Sequence, residues 1–155
     1  MRLPYKLLLV PALALSAAAQ AIPNIWSSGF GQGVTEYLIK NQQNAAFSLN
    51  CTTNPDAQNV LQHSVLIDLP DGSRADSHDE QTSITVVMDD QQFPIPASLG
   101  WRNGDNAWIS FIDALGNTAA FDVYVNDKKA GSFTPGTGNT RKVLNDLSGC
   151  RNTVA

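Results

Sequence analysis

The sequence predicts an α+β domain that is mostly β: an antiparallel sheet or β-sandwich of about six or seven strands with two short helices. Three observations predict it. Short stretches with a two-residue apolar period recur along the chain, as in Phe47-Leu49-Cys51, Ile84-Val86-Met88 and Phe121-Val123-Val125. They are separated by brief Asn, Asp, Gly and Pro segments, too short for the crossovers that parallel strands need. The period changes to that of a helix in two places, at Trp108, Phe111, Ile112 and Leu115 and again at Val143, Leu144 and Leu147. A hydrophobic content of 43% in 155 residues is enough for one packed core, which excludes a disordered chain and leaves little room for a second domain.

The first 21 residues are set aside from the fold. Arg2 and Lys6 form a basic start, residues 7–15 are apolar, and Ala19-Gln20-Ala21 is a small-residue cleavage site, so 1–21 reads as a secretory signal peptide and 22–155 as a single exported β-rich domain. The apolar run is too short to anchor the chain across a membrane, and no later stretch approaches spanning length. Cleavage near Ala21 leaves 134 residues and removes Arg2 and Lys6 but no acid, so the net charge falls from −4 to −6. An acidic surface without basic clusters repels phosphate backbones, which argues against nucleic acid as a partner.

Each element follows from local pattern. Residues 22–33 carry Pro, Ser and three Gly and read as an irregular lead-in, with Trp26 and Phe30 tucked onto the domain. Residues 34–39 and 45–52 form a hairpin around the polar turn 40–44. Strands are expected at 63–69, stopped by Pro70-Asp71-Gly72-Ser73, and at 82–88, followed by a turn at 89–92. Residues 74–81 read as a loop, and Phe93-Pro94-Ile95-Pro96 as an edge strand or extended loop. A helix is expected at about 107–115, capped by Asp105 or Asn106 and ended by Gly116. Residues 119–125 and 129–134 pair through an Asn126-Asp127 turn. After the break at 135–139, a last helix covers 140–148, with Cys150 just past its end.

Export explains the two cysteines. In an oxidising compartment Cys51 and Cys150 pair, closing a loop of about 100 residues that is worth roughly 4–5 kcal/mol in lost chain entropy. No CxxC or CxxH pattern offers a metal site instead. His78-Asp79-Glu80 places three ligand types in a row, yet neighbours on an extended chain point opposite ways, so a solvated acidic loop is expected and no cofactor. G-x-S-x-G is absent, and the glycine-rich 136–140 lacks the Lys of a phosphate loop. His63 falls on the apolar face of its strand, which marks a core or rim histidine. Trp101, in the segment LGWRNGDN beside Arg102, has the composition of a protein-binding anchor. Isolated tryptophans are mostly buried, so the plainer expectation is that Trp101 folds back over the core.

The order of the pieces resembles small exported Gram-negative proteins of the invasion-associated locus B type. The likeness runs from Trp26 through Phe47-Ser48-Leu49-Asn50-Cys51 and Val86-Val87-Met88-Asp89-Asp90-Gln91-Gln92-Phe93 to Leu147-Ser148-Gly149-Cys150. That family usually has a second cysteine pair, which this chain lacks. The resemblance implies a periplasmic, non-catalytic β-rich domain and carries over no functional residue. The expected function is a small, disulfide-closed protein-binding domain of the bacterial envelope, an inhibitor or immunity factor, with loops 70–81 and 94–106 as contact regions and Trp101 and Arg102 as binding residues. A secreted hydrolase built around His63 or His78, or a surface structural or adhesion subunit, are the alternatives.

Overall fold

The computed structural model describes residues 22–155, so the signal-peptide expectation for 1–21 lies outside the described residues. Nine strands form two antiparallel sheets. The first is a meander in chain order: β1 (Ser27–Gly31), β2 (Val34–Lys40), β3 (Ala46–Thr52), β4 (Ser64–Asp68) and β5 (Arg74–Asp76). The second contains β6 (Ile84–Met88), β7 (Gln91–Pro94), β8 (Phe121–Val125) and β9 (Lys128–Phe133), in the spatial order β7-β6-β8-β9. Helix α1 (Arg102–Leu115) connects β7 to β8, and α2 (Gly136–Val143) and α3 (Ser148–Arg151) follow β9.

The sheets face each other across one core. Alternation supplies their inner faces: Phe47, Leu49 and Cys51 from β3, Val65 and Ile67 from β4, and Ile84, Val86 and Met88 from β6 are all buried. Aromatic rings join the layers. Phe121 of β8 lies 5.2 Å from Phe47 of the opposite sheet and 5.8 Å from Trp26, which enters just ahead of β1. Helix α1 closes one side, burying Trp108, Phe111, Ile112 and Leu115, the i, i+3, i+4, i+7 stripe read from the sequence.

Two-residue turns set three of the hairpins among the described residues. Gln32-Gly33, Asp89-Asp90 and Asn126-Asp127 each have positive φ at both positions, the arrangement whose twist matches that of the strands it joins. The first of them explains a difference from expectation. Residues 27–31 are not an irregular lead-in but strand β1, held in register by the Gln32-Gly33 turn and its pairing with β2, despite two weak β-formers at Gly29 and Gly31. Trp26 is buried as expected, whereas Phe30, expected to tuck onto the domain, is 72% exposed.

Other boundaries moved for physical reasons. Residues 74–76 form the short edge strand β5 rather than loop, because Arg74 and Asp68 pair across the β4–β5 turn. Helix α1 begins at Arg102, six positions before Trp108 opens its apolar stripe, because its first turn is mostly solvated and carries no periodic signal. Its N-cap is Trp101, with extended backbone and no side-chain cap, in place of Asp105 or Asn106. Gly116 ends the helix with φ of −64°, without the left-handed turn that glycine permits. The final helical segment is divided: α2 starts in the glycine-rich 136–139, and Cys150 lies inside α3 rather than beyond a helix end.

Candidate functional site

Cys51 and Cys150 are bonded, with Cα atoms 5.0 Å apart and both residues buried. Polar contacts repeat this tie in parallel. The Trp108 indole N–H donates to the Cys150 carbonyl at 2.7 Å, and the Trp108 ring stacks on His63 at 5.8 Å. The Thr52 N–H donates to His63 Nδ1 at 3.0 Å, which leaves the proton on Nε2, and Nε2–H donates to the Asn152 carbonyl at 2.6 Å. Burial pushes the His63 pKa below its ordinary value, the bond to Asn152 opposing this in part. His78, which is exposed, donates from Nε2 to the His63 carbonyl at 3.2 Å. Both imidazoles are thus fixed by main-chain groups, and the segment 70–81 is tied to β4 where Ser77 Oγ accepts from the Val65 N–H at 2.9 Å. Among the described residues, no group of three or more His, Cys, Asp or Glu side chains converges as metal ligands.

The second arrangement surrounds Trp101. Its indole is 52% exposed, which overturns the expectation of a tryptophan folded over the core. The side chain is nevertheless held. Its N–H donates to the Ser98 carbonyl at 2.9 Å, and the ring lies against Gly104, where an added Cβ would come within 2.5 Å of the indole nitrogen. Gly100, with φ of +92°, turns the chain into the helix against Val60 and donates its N–H to Asp105 at 2.8 Å. Gln62 ties this loop to the rest of the domain: its Oε1 accepts from the Leu99 N–H, and its amide donates to Asp56 at 3.0 Å. The N–H groups of Val60 and Gln58 and the Gln62 amide hold the Asp56 carboxyl below its usual range. Val60 also bridges to Val154, so the chain end completes the support.

Arg102 occupies the first turn of α1, exposed beside Trp101. A cation there opposes the helix dipole by roughly 0.3–1 kcal/mol, so folding gives no reason for its position. The two expected binding residues therefore lie where the braced loop joins α1, Trp101 as its N-cap and Arg102 as its first residue. Sequence reasoning missed the braces Gln62, Asp56 and Val60; the flanking Gly100 and Gly104 were visible but could not show what they accommodate. An open groove of about 480 Å³ lies at the other end of α1, lined by Asp113, Arg141, Asp146 and Arg151, with Arg151 paired to Asp113. Its mixed charges are exposed and compensate one another.

The comparisons with known proteins agree on one family. The family model described as YfjT matches residues 24–144. The chain is 50% identical over 147 residues to the uncharacterized protein YkfB of Escherichia coli strain K12, covering 95% of each chain. It is 47% identical over 147 residues to the uncharacterized protein YfjT of the same strain, again covering 95% of each. No solved structure matches. With most of its length matched by the family model and two relatives near half identity, the chain belongs to the YfjT family.

Proposed function

We propose that this protein is an exported, non-catalytic protein-binding domain of the bacterial envelope, acting as an inhibitor or immunity factor, with Trp101 and Arg102 in its contact surface. The observation that carries the reading is Trp101: a large amphipathic ring left in solvent, yet fixed by a hydrogen bond and a glycine seat. A pre-ordered aromatic loses little side-chain freedom on binding, which is why Trp and Arg dominate binding hot spots. The buried disulfide supports an oxidising destination, and no helix among the described residues is long and apolar enough to cross a membrane. The main-chain bonds that occupy both histidines favour this reading over a hydrolase. A net charge of −6 after removal of residues 1–21 favours a basic protein target.

The test is affinity capture from envelope extract with the native protein and with Trp101→Ala. A hot-spot role predicts that partner retention falls by roughly 30-fold or more, the equivalent of about 2 kcal/mol, while the melting temperature stays nearly unchanged. Equal retention by both proteins removes Trp101 from the surface. Fractionation and mass measurement of the expressed chain test export, the expected product beginning at Ile22.

A further inference from the structure

Two sheets present four edges, and three of them carry features that discourage pairing. Strand β5 has three residues and presents Arg74 and Asp76. Strand β7 ends in Pro94. Strand β9 begins with Lys128 and Lys129 and bulges at Ala130, which intervenes between the residues paired to Tyr124 and Val123. Short length, charge, proline and bulges are the devices by which proteins keep sheet edges from associating. Strand β1 has none of them. Its five residues, Ser-Ser-Gly-Phe-Gly, are all exposed, and no charged residue occurs from Ile22 to Thr35.

The geometry of this edge can be derived from its turn. In a two-residue hairpin the residues flanking the turn, Gly31 and Val34, exchange hydrogen bonds, so the bonded pairs with β2 are at Gly31, Gly29 and Ser27. The main-chain groups of Ser28 and Phe30 therefore point away from the sheet. Trp26 has the same orientation, and its N–H is taken by Asn139 Oδ1 at 2.8 Å. The edge is thus covered at Trp26 and open across Ser28–Phe30. That open segment is self-complementary. Laid antiparallel against a second β1 with Gly29 facing Gly29, each Ser28 meets the other copy's Phe30 as a bonded pair.

We infer that β1 is a homodimer edge, which joins two copies of the chain through antiparallel β1–β1 pairing centred on Gly29 into a continuous ten-stranded sheet. This goes beyond the proposed partner-binding role of Trp101 and uses a different part of the molecule. The pairing covers Phe30, which shares its sheet face with Thr35, its partner on β2, and with Tyr37. It satisfies the outward groups of Ser28 and Phe30 and sets no charge beside a like charge. The nearest acids, Glu36 of each copy, stand opposite their own Gly29, three strand spacings or about 14 Å apart, beyond the screening length at physiological salt. The two-fold symmetry closes the assembly at a dimer, because β1 is then used by both copies.

The experiment uses the mature protein with its native disulfide formed. Gly29 accepts a side chain without contact, nothing lying within 4 Å of an added Cβ, so Gly29→Cys leaves the fold intact. In the proposed register the two introduced thiols occupy a non-bonded pair with Cα atoms about 4.5 Å apart, within disulfide range. Ser27→Cys, on the same strand face, places its thiols four residues out of register, about 14 Å apart. Under mild oxidation Gly29→Cys is expected to give a covalent dimer roughly tenfold or more faster than Ser27→Cys. Sedimentation of the unmodified protein is expected to show a concentration-dependent dimer. Phe30→Pro, which removes an outward N–H and none used within the sheet, is expected to be monomeric with an unchanged circular dichroism spectrum. A wild-type protein monomeric up to sub-millimolar concentration, equal cross-linking rates for the two cysteine variants, or a dimer that survives Phe30→Pro would each overturn the proposal.

Discussion

Removing the Cys51–Cys150 bond should cost most of what loop closure predicts, and the structure shows why the loss falls on the unfolded chain. The bond spans 99 positions, and closing a loop of about 100 residues lowers the entropy of the unfolded chain by the equivalent of about 4.7 kcal/mol. The folded chain keeps its C-terminal segment docked without the bond. Trp108 still holds the Cys150 carbonyl, His63 the Asn152 carbonyl, and the Leu61 N–H the Thr153 carbonyl. The perturbation is the double variant Cys51→Ser with Cys150→Ser, compared with the oxidised protein by urea unfolding followed by tryptophan fluorescence. For a slope of about 2 kcal/mol per molar urea, the midpoint should fall by about 2 M. A loss of 4–5 kcal/mol is a large part of the 5–15 kcal/mol by which domains are usually stable, so the variant is expected to be folded but marginal. A loss of about 1 kcal/mol or less would refute the argument from unfolded-state entropy. A full loss accompanied by exchange-labile amides at 152–155 before unfolding would refute the claim that the tail stays docked.

Three further outcomes follow from particular contacts. His63 is held neutral with a folded pKa below its unfolded value near 6.5, so the unfolded chain takes up the proton first; stability is complete above pH 6.5 and declines as pH falls from there towards the depressed value. His63→Phe, which keeps a ring against Trp108 but orphans the Thr52 N–H and Asn152 carbonyl, should cost about 2 kcal/mol or more and remove that decline, and a decline that persists would assign it to other groups. Asp90, with φ of +62°, occupies the second position of the β6–β7 turn, where glycine is unstrained; Asp90→Gly should raise stability by about 0.5 kcal/mol in thermal unfolding, and a lower melting temperature would contradict the turn assignment. Gly104→Ala gains helix propensity worth about 1 kcal/mol but drives a methyl into the Trp101 indole and to 2.9 Å from the Ser98 carbonyl, so a net loss of stability is expected; a gain of the full 1 kcal/mol would show that the indole is not seated on Gly104.

Much of the fold was legible because burial imposes a period. Ile84, Val86 and Met88 alternate because β6 is covered on one face only, and the stripe from Trp108 to Leu115 identified the buried side of α1. What was not legible has little burial to record. Strand β1 is exposed throughout and β5 has three residues, so neither leaves an apolar alternation; the first turn of α1 leaves none either. The cysteine pair followed from two thiols and the expectation of export. The candidate site was half visible: Trp101 between two glycines stood out, but its exposure depends on Ser98, Gly104 and the Gln62 tie, contacts among segments up to 37 positions apart. His63 was placed correctly on a core face by its strand period, while its role as a link between Thr52 and Asn152 arises only from the folded chain.

The disulfide also fixes how the molecule carries mechanical load. It divides the described chain into a ring from Cys51 to Cys150 and two tails. The whole second sheet and α1 belong to the ring, whereas β1, β2 and most of β3 belong to the tail ahead of it. Tension applied between β1 and the C-terminal residues passes along the first tail to Cys51, crosses the sulfur bridge to Cys150, and leaves through residues 151–155. The second sheet and the helix that presents Trp101 are bypassed, so β1 can be pulled from its neighbours while the Trp101 surface keeps its shape.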